Sequence, residues 1–372
     1  MSNNKKLIAM LGGGQLGLMF AEKAQLMGEK VLVLDPDKNC PAGKIANKFI
    51  NAEYTNKNAL QTIINECYVC TTEFENIPYK TLETLEKKIK VFPSSKSLKI
   101  AQNRSLEKKF LKNQNIPTTE YFEINSNEDL NSLNNINDWP YILKTNTFGY
   151  DGKGQIIVNN YNELINAYSN SDIKNYILEK KVELDKEVSQ VAACYKDKII
   201  FLPISENIHI NNILHKSLVP AKINLDSEKT ILKISKSIIG SLNYKGIICI
   251  EFFIDNNNNI LVNEIAPRTH NSGHYSIEGC DISQFEHQVK ILTNQEPKYS
   301  NLKNPSVMLN LLGDLWSNND PCFSTINKEN IFLHLYNKDI AKPGRKMGHI
   351  TVIDKSIDNA EQIADKLFNS LI

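Results

Sequence analysis

The chain has 372 residues, 43 Lys+Arg against 42 Asp+Glu, 41% hydrophobic and 23% charged residues. That length predicts two or three domains of roughly 100–200 residues each. A net charge of +1 with both signs interspersed argues against a protein built to hold nucleic acid or an anionic membrane. No apolar run approaches the roughly 20 residues of a membrane-spanning helix, and the apolar content excludes disorder.

The start, Lys5-Lys6 followed by Leu7 to Phe20, is broken by Gly12, Gly13, Gly14, Gln15 and Gly17, which argues against a signal peptide. Lys6 to Leu11 predicts a strand, the glycines a turn, Leu16 to Met27 a helix and Val31 to Leu34 a second strand. That succession is a βαβ unit with parallel strands. Cys67 to Thr72 continues the pattern as a strand, and Leu82 to Ile89 as a helix. Ser94 to Lys112 predicts a further helical region, rich in Lys. From Trp139 the pattern changes to hairpins: Tyr141 to Lys144 and Gln155 to Val158 flank a glycine loop, and Tyr176 to Glu179, Glu187 to Tyr195 and Lys198 to Pro203 follow. Leu225 to Leu242 has helical periodicity, and Lys245 to Asp255 with Ile260 to Ile265 predicts another hairpin. Short strands (Val307 to Leu312, Ile331 to Tyr336, His349 to Ile353) and a final helix near Asn359 to Leu371 close the chain. The seven cysteines are odd in number and scattered, which predicts reduced thiols in a cytoplasmic protein. Cys67-Tyr-Val-Cys70 has no second pair to complete a zinc site and reads as buried apolar thiols.

Gly12-Gly-Gly14-Gln-Leu-Gly17 satisfies G-x-G-x-x-G between a strand and a helix, with Asp35 about 20 residues on. The helix N-terminus there suits an anion, either a dinucleotide or another phosphate or carboxylate; a bare tight turn is the alternative. Glu251 and Glu264 form the most informative pair. A hairpin turning about Asn257-Asn258 sets Asp255 opposite Ile260, Phe253 opposite Val262 and Glu251 opposite Glu264, the two carboxylates roughly 5 Å apart at Cβ. Like charges so placed among apolar neighbours are costly. A divalent cation resolves the cost, and Mg²⁺ prefers carboxylate and phosphate oxygens; the alternatives are one protonated Glu or a slipped register. Gly149-Tyr150-Asp151-Gly152-Lys153-Gly154-Gln155 sits at a hairpin tip, where backbone N–H groups and Lys153 could close over an anion, with Lys144 on the preceding strand. Asn263 to His274 gathers an acid, Arg268, His270 and His274 in a dozen positions, Arg268 suited to a carboxylate or phosphate and His270 to proton transfer. Lys338, Lys342, Pro343-Gly344-Arg345-Lys346 and His349 form a basic turn, either solvated or phosphate-binding.

Together these strings resemble the ATP-grasp enzymes, and Gly12 to Gly17, Phe148 to Gln155, Glu264 to His274 and Pro343 to His349 resemble the N5-carboxyaminoimidazole ribonucleotide synthetase family. The resemblance implies an α/β and α+β architecture: an N-terminal Rossmann-like (pre-ATP-grasp) domain over 1–94, an ATP-grasp domain over 95–300 with a lid at about 115–180, and a small C-terminal domain over 301–372. It implies the cofactors ATP and Mg²⁺, the substrates 5-aminoimidazole ribonucleotide and bicarbonate, and a homodimer. Carried over by position, ATP would meet Arg104, Lys144, the loop Gly149 to Gln155, Glu179, Lys180, Lys181, Val182, Glu187, His209, Asn263 and Glu264. Glu251 and Glu264 would bind the metal. Gln15, Leu16, Glu73, Tyr150, Asp151, Lys153, Arg268, His270, Lys338 and Arg345 would meet the ribonucleotide or carboxyphosphate, with Arg268, His270, Lys153 and Asp151 catalytic. Leu18 and Lys342 stand where Arg is usual. The rivals are another ATP-grasp carboxylate–amine ligase, an NAD(P)-dependent oxidoreductase resting on the glycine turn, and a nucleotide-sensing protein without turnover.

Overall fold

The computed structural model describes residues 6–147, 149, 154–170, 175–317, 321, 323–326 and 329–371. The first unit is a parallel five-stranded sheet in the spatial order Lys48–Asn51, Lys30–Asp35, Leu7–Leu11, Cys67–Thr72, Lys90–Val91. Its central strand alternates between two cores. Ile8 and Met10 pack with Phe20, Ala21 and Ala24 of the helix Gln15–Leu26, while Ala9 and Leu11 pack with Leu60, Ile63, Leu82 and Leu85 of two helices on the other face. Burial on both faces is what a parallel sheet requires. The helical region after it is two helices, Ser95–Ala101 and Arg104–Asn113, each capped by the side chain before it, Ser94 on Ser97 N–H and Asn103 on Leu106 N–H.

An antiparallel four-stranded sheet follows, ordered Tyr121–Ile124, Tyr176–Lys180, Tyr141–Thr145, Gln155–Val158. Tyr141 and Leu143 face a small core with Leu164 and Tyr168 of the helix Tyr161–Ser169. Ile142 and Lys144, pointing the other way, face a pocket.

The third sheet has nine strands and runs through residues 184–353. Leu184–Tyr195 and Gly246–Asp255 pair antiparallel near one edge of it, and the helix Leu225–Leu242 packs Ile231, Ile238 and Ile239 against Ile248, Ile250 and Phe252 on one face. The strand Ile213–Val219 pairs with Ser306–Leu312, so the last part of the chain extends the same sheet across residue 301. The final helix, Ile357–Asn369, covers Val307, Ile350 and Val352 there.

The hairpin Gly246–Asp255/Ile260–Ala266 carries a correction. Glu251 does face Glu264, but Ile254 faces Ile260, Phe253 faces Leu261 and Phe252 faces Val262. The five-residue tip Asp255 to Asn259 is held by the Asp255 carboxylate, which accepts the Asn257 and Asn259 N–H groups, and it sets a register one residue off the symmetric one. A bulge at Asn263 absorbs the difference before Glu264 is reached. It also switches the phase of the strand. Val262 and Ile265 both lie in the core under the Leu225–Leu242 helix, and Asn263 and Glu264 both border the pocket.

Candidate active site

A pocket of about 680 Å³ lies where the three sheets meet, a volume suited to a small-molecule ligand. Of the residues expected in a site, it is lined by Gln15, Leu16, Glu73, Arg104, Lys144, Gly149, Gln155, Glu179 to Val182, Glu187, His209, Glu251, Asn263, Glu264, Arg268 and His270. Tyr150, Asp151, Gly152 and Lys153 lie outside the described residues. Gly154 adopts φ +72°, and a Cβ there would stand 2.7 Å from Thr145 Oγ1.

At the floor, burial and then the Glu264 charge push the Glu251 carboxyl up to about 8. His209 and Arg268 pull it back only in part. His270 Nε2 stands 3.5 Å from Glu251, but burial and then Arg268 hold the ring well below its ordinary value, so it is neutral at pH 7. Arg104 Nη1 stands 3.8 Å from Glu264, too far for a direct hydrogen bond. Two opposed carboxylates lacking close donors fit a hard divalent cation. Among the described residues no group of three or more His, Cys, Asp and Glu forms a complete metal site, so phosphate oxygens or water would have to finish the shell.

On the lid side, Lys144 Nζ donates to Glu179 at 2.9 Å, and Lys108 Nζ lies 3.7 Å from the same carboxylate. Burial alone would raise Glu179, but Lys108, Lys144 and Arg104 carry it down to about 2. On the opposite wall His209 Nδ1 stands 3.1 Å from Glu187. Burial would lower that ring, yet Glu187 and then Glu251 bring it above its ordinary value.

The glycine turn binds a carboxylate of the protein itself. Glu73 accepts the Gly14 N–H and, at 3.1 Å, the Leu16 N–H, while Asp35 accepts the Gly13 N–H at 2.7 Å. The helix N-terminus expected to hold a cofactor anion is therefore filled from within. Asp35, which a dinucleotide would need for its ribose, is spent on the turn and on Tyr54. The glycines make room for Glu73: a Cβ on Gly12, which sits at φ +98°, would lie 2.6 Å from the Glu73 Cβ. Leu18, one turn on, is a core residue.

Two expected residues are elsewhere. Lys338 donates to Gln15 Oε1 and to the Lys346 carbonyl, both at 2.6 Å, and ties the last domain to the first helix. Arg345 donates to the Ile340 carbonyl at 2.8 Å, because the Pro343–Gly344 bend folds back and Gly344 N–H reaches Asp314. Neither borders the pocket; the next residue, Lys346, does. Arg268 borders it while paired with Glu75, which was not among the expected site residues. Glu107 and Lys108 were also missed. Their signal was legible: Arg104, Glu107, Lys108 and Leu111 recur at helical spacing, so charge occupies the face where an apolar stripe belongs.

Residues 5–102 match the ribonucleotide synthetase preATP-grasp domain, 109–285 the ATP-grasp domain and 306–363 the phosphoribosylaminoimidazole carboxylase C-terminal domain. The chain is 40% identical over 359 residues to an N5-carboxyaminoimidazole ribonucleotide synthase of Staphylococcus aureus (strain COL), covering 95% of this chain and 94% of that one. It superposes with a TM-score of 0.90 and 37% identity on the Staphylococcus aureus N5-carboxyaminoimidazole synthetase complexed with ADP, covering all of both chains. Against the Aspergillus clavatus N5-carboxyaminoimidazole synthase in complex with ADP and 5-aminoimidazole ribonucleotide, the TM-score is 0.89 at 28% identity, with 99% of each chain covered.

Proposed function

The chain belongs to the N5-carboxyaminoimidazole ribonucleotide synthase family, and from that premise we propose how its own residues carry out the reaction. The enzyme is an ATP-dependent ligase: ATP, bicarbonate and 5-aminoimidazole ribonucleotide give ADP, phosphate and the N5-carboxylated nucleotide. The observation that carries the assignment of roles is the single pocket joining the Glu251/Glu264 pair, the Lys144–Glu179 pair and the Arg268–His270 segment.

Bicarbonate is a poor electrophile, and transfer of a phosphoryl group to it makes carboxyphosphate, whose phosphate leaves readily. The task of the protein is positioning and charge neutralisation. Ile142, Ile157 and Phe253 supply apolar walls for the base beside the Lys180 to Val182 backbone, and Glu187 is placed to accept ribose hydroxyls. Lys144 is held at the phosphates by Glu179, whose low pKa keeps it ionised and the pair intact. Magnesium on Glu251 and Glu264 would offset phosphate charge. Arg268, oriented by Glu75, holds the carboxylate-bearing intermediate. Neutral His270 accepts the Ser272 N–H on Nδ1 at 3.3 Å, so its own proton sits on Nε2, which donates toward the pocket and the carboxylate-bearing intermediate. The Gly149 to Gln155 loop would exclude water from labile carboxyphosphate.

Six described cysteines are buried, which supports a cytoplasmic setting, and we extend to this chain the homodimer implied by the resemblance. The test is ADP release from Mg-ATP with and without bicarbonate and ribonucleotide. One bicarbonate carbon fixed into an acid-labile product per ADP, dependent on the ribonucleotide, is expected. ADP release indifferent to the ribonucleotide but stimulated by another carboxylate would keep the fold and remove the substrate.

A further inference from the structure

The strand Ile260–Ala266 is an outermost strand of the nine-stranded sheet, so one row of its peptide groups has no partner within the sheet. That row is filled from outside. Val262 N–H donates to the Pro117 carbonyl at 2.9 Å, and the Val262 carbonyl accepts from Thr118 Oγ1 at 2.7 Å. One step on, the Asn263 carbonyl accepts from Lys108 Nζ at 3.3 Å, and Ile265 N–H donates to Glu107 Oε1 at 2.6 Å. In an unbroken strand, outward N–H groups recur every second residue. Here they belong to Val262 and Ile265, and the residue that breaks the count is the bulge, Asn263. Glu107 and Lys108 therefore grip the edge where its phase changes.

We propose that Glu107 and Lys108 are positioning residues that peg the Asn263 bulge and so keep Asn263 and Glu264 together on the pocket face. Annealing the bulge by continuing the tip register would set Asn263 opposite Glu251 and turn Glu264 toward the core. Lys108 is buried and does not border the pocket. Its ammonium is spent on the edge carbonyl, on Thr118 and Thr119 at 2.7 and 2.9 Å, and on Glu179. One helix face thus ties the carboxylate-bearing strand to the lid strand. The inference rests on the assignment of Glu251 and Glu264 to the metal.

The test is Mn²⁺ binding in the presence of ADP, followed by electron paramagnetic resonance, with far-ultraviolet circular dichroism to establish folding. Glu107→Met and Lys108→Met are expected to weaken Mn²⁺ by about tenfold or more, the range for residues that orient metal ligands. Glu107→Gln keeps a side-chain carbonyl for Ile265 N–H and is expected to bind Mn²⁺ within about twofold of the parent. If Glu107→Gln loses as much as Glu107→Met, the charge of Glu107 acts rather than its acceptor, and the peg is refuted. Wild-type Mn²⁺ binding by both Met variants refutes it equally. Should the Met variants fail to fold, Thr118→Val, which strips the neighbouring edge contact, carries the same expected loss and the same refutation. Glu264→Gln separates the two levels. Undiminished Mn²⁺ binding by that variant overturns the metal assignment, whereas its loss alongside intact Met variants overturns only the peg.

Discussion

Replacing Glu251 with Gln should make the metal-free protein more stable while abolishing turnover. The folded-state carboxyl titrates at about 8 against an ordinary 4.5, because burial and then Glu264 disfavour its charge. The folded state therefore binds this proton more tightly than the unfolded chain does. Stability is full below pH 4.5 and is lost as pH rises toward 8, at about 1.4 kcal/mol per pH unit. By pH 7 wild type has lost a few kcal/mol of that contribution, and by pH 8 most of it. Glutamine has the same shape and no charge to desolvate, so Glu251→Gln should escape the slope. Melting temperatures measured in EDTA from pH 5 to 9 should agree near pH 5 and diverge upward, the variant melting several degrees higher at pH 8. Magnesium added to the ADP-bound protein should further stabilise wild type and leave the variant unmoved. Parallel pH profiles, or a variant less stable than wild type at pH 8, would refute the account of the pair as a charged site kept at a cost in stability.

Other outcomes follow from the same geometry. Glu264→Gln should lower ADP formation by at least about 100-fold through loss of metal-assisted charge neutralisation with an unchanged circular dichroism spectrum; retained turnover with the same magnesium dependence would remove its assignment. Glu179 is carried down to about 2 by its lysines despite burial, so the stability it contributes is present above pH 4.5 and lost as pH falls toward 2, a loss of about 3 kcal/mol. Glu179→Gln should be less stable at pH 7 and flatter in urea titrations over that acid range. Gly14→Ala would drive a Cβ into the Glu73 carboxylate and should cost about 1–3 kcal/mol in thermal unfolding, with no change expected on adding NAD(P).

The difference between what the sequence discloses and what it hides follows from the range of the forces involved. The helix Leu225–Leu242 coincides with its sequence expectation because everything that sets it is local: apolar residues at helical spacing, Asn224 capping Ser227 N–H, and Asn243 at φ +46° ending it. The carboxylate pair was legible for a similar reason, since a hairpin tip brings near in space what is near in sequence. The tip register was not legible. Symmetric alternation cannot distinguish a hairpin centred between two asparagines from one centred on Asn257, because that choice is made by Asp255 closing the loop. Nor can it foresee that two wrongs cancel, the off-centre tip and the bulge together restoring Glu251 opposite Glu264. The glycine turn misleads more deeply. G-x-G-x-x-G reports a backbone that admits a close anion, and that much is correct; it is silent on whose anion. Glu73 arrives from 59 residues away, a separation at which spacing carries no information and only the parallel pairing of Leu7–Leu11 with Cys67–Thr72 brings the two together. Arg345 and Lys346 differ in the same manner: adjacent cations in one basic string, sorted by a Pro-Gly bend whose direction depends on Asp314. Residue type fixes which chemistry is possible, and long-range partners decide which of the eligible residues performs it.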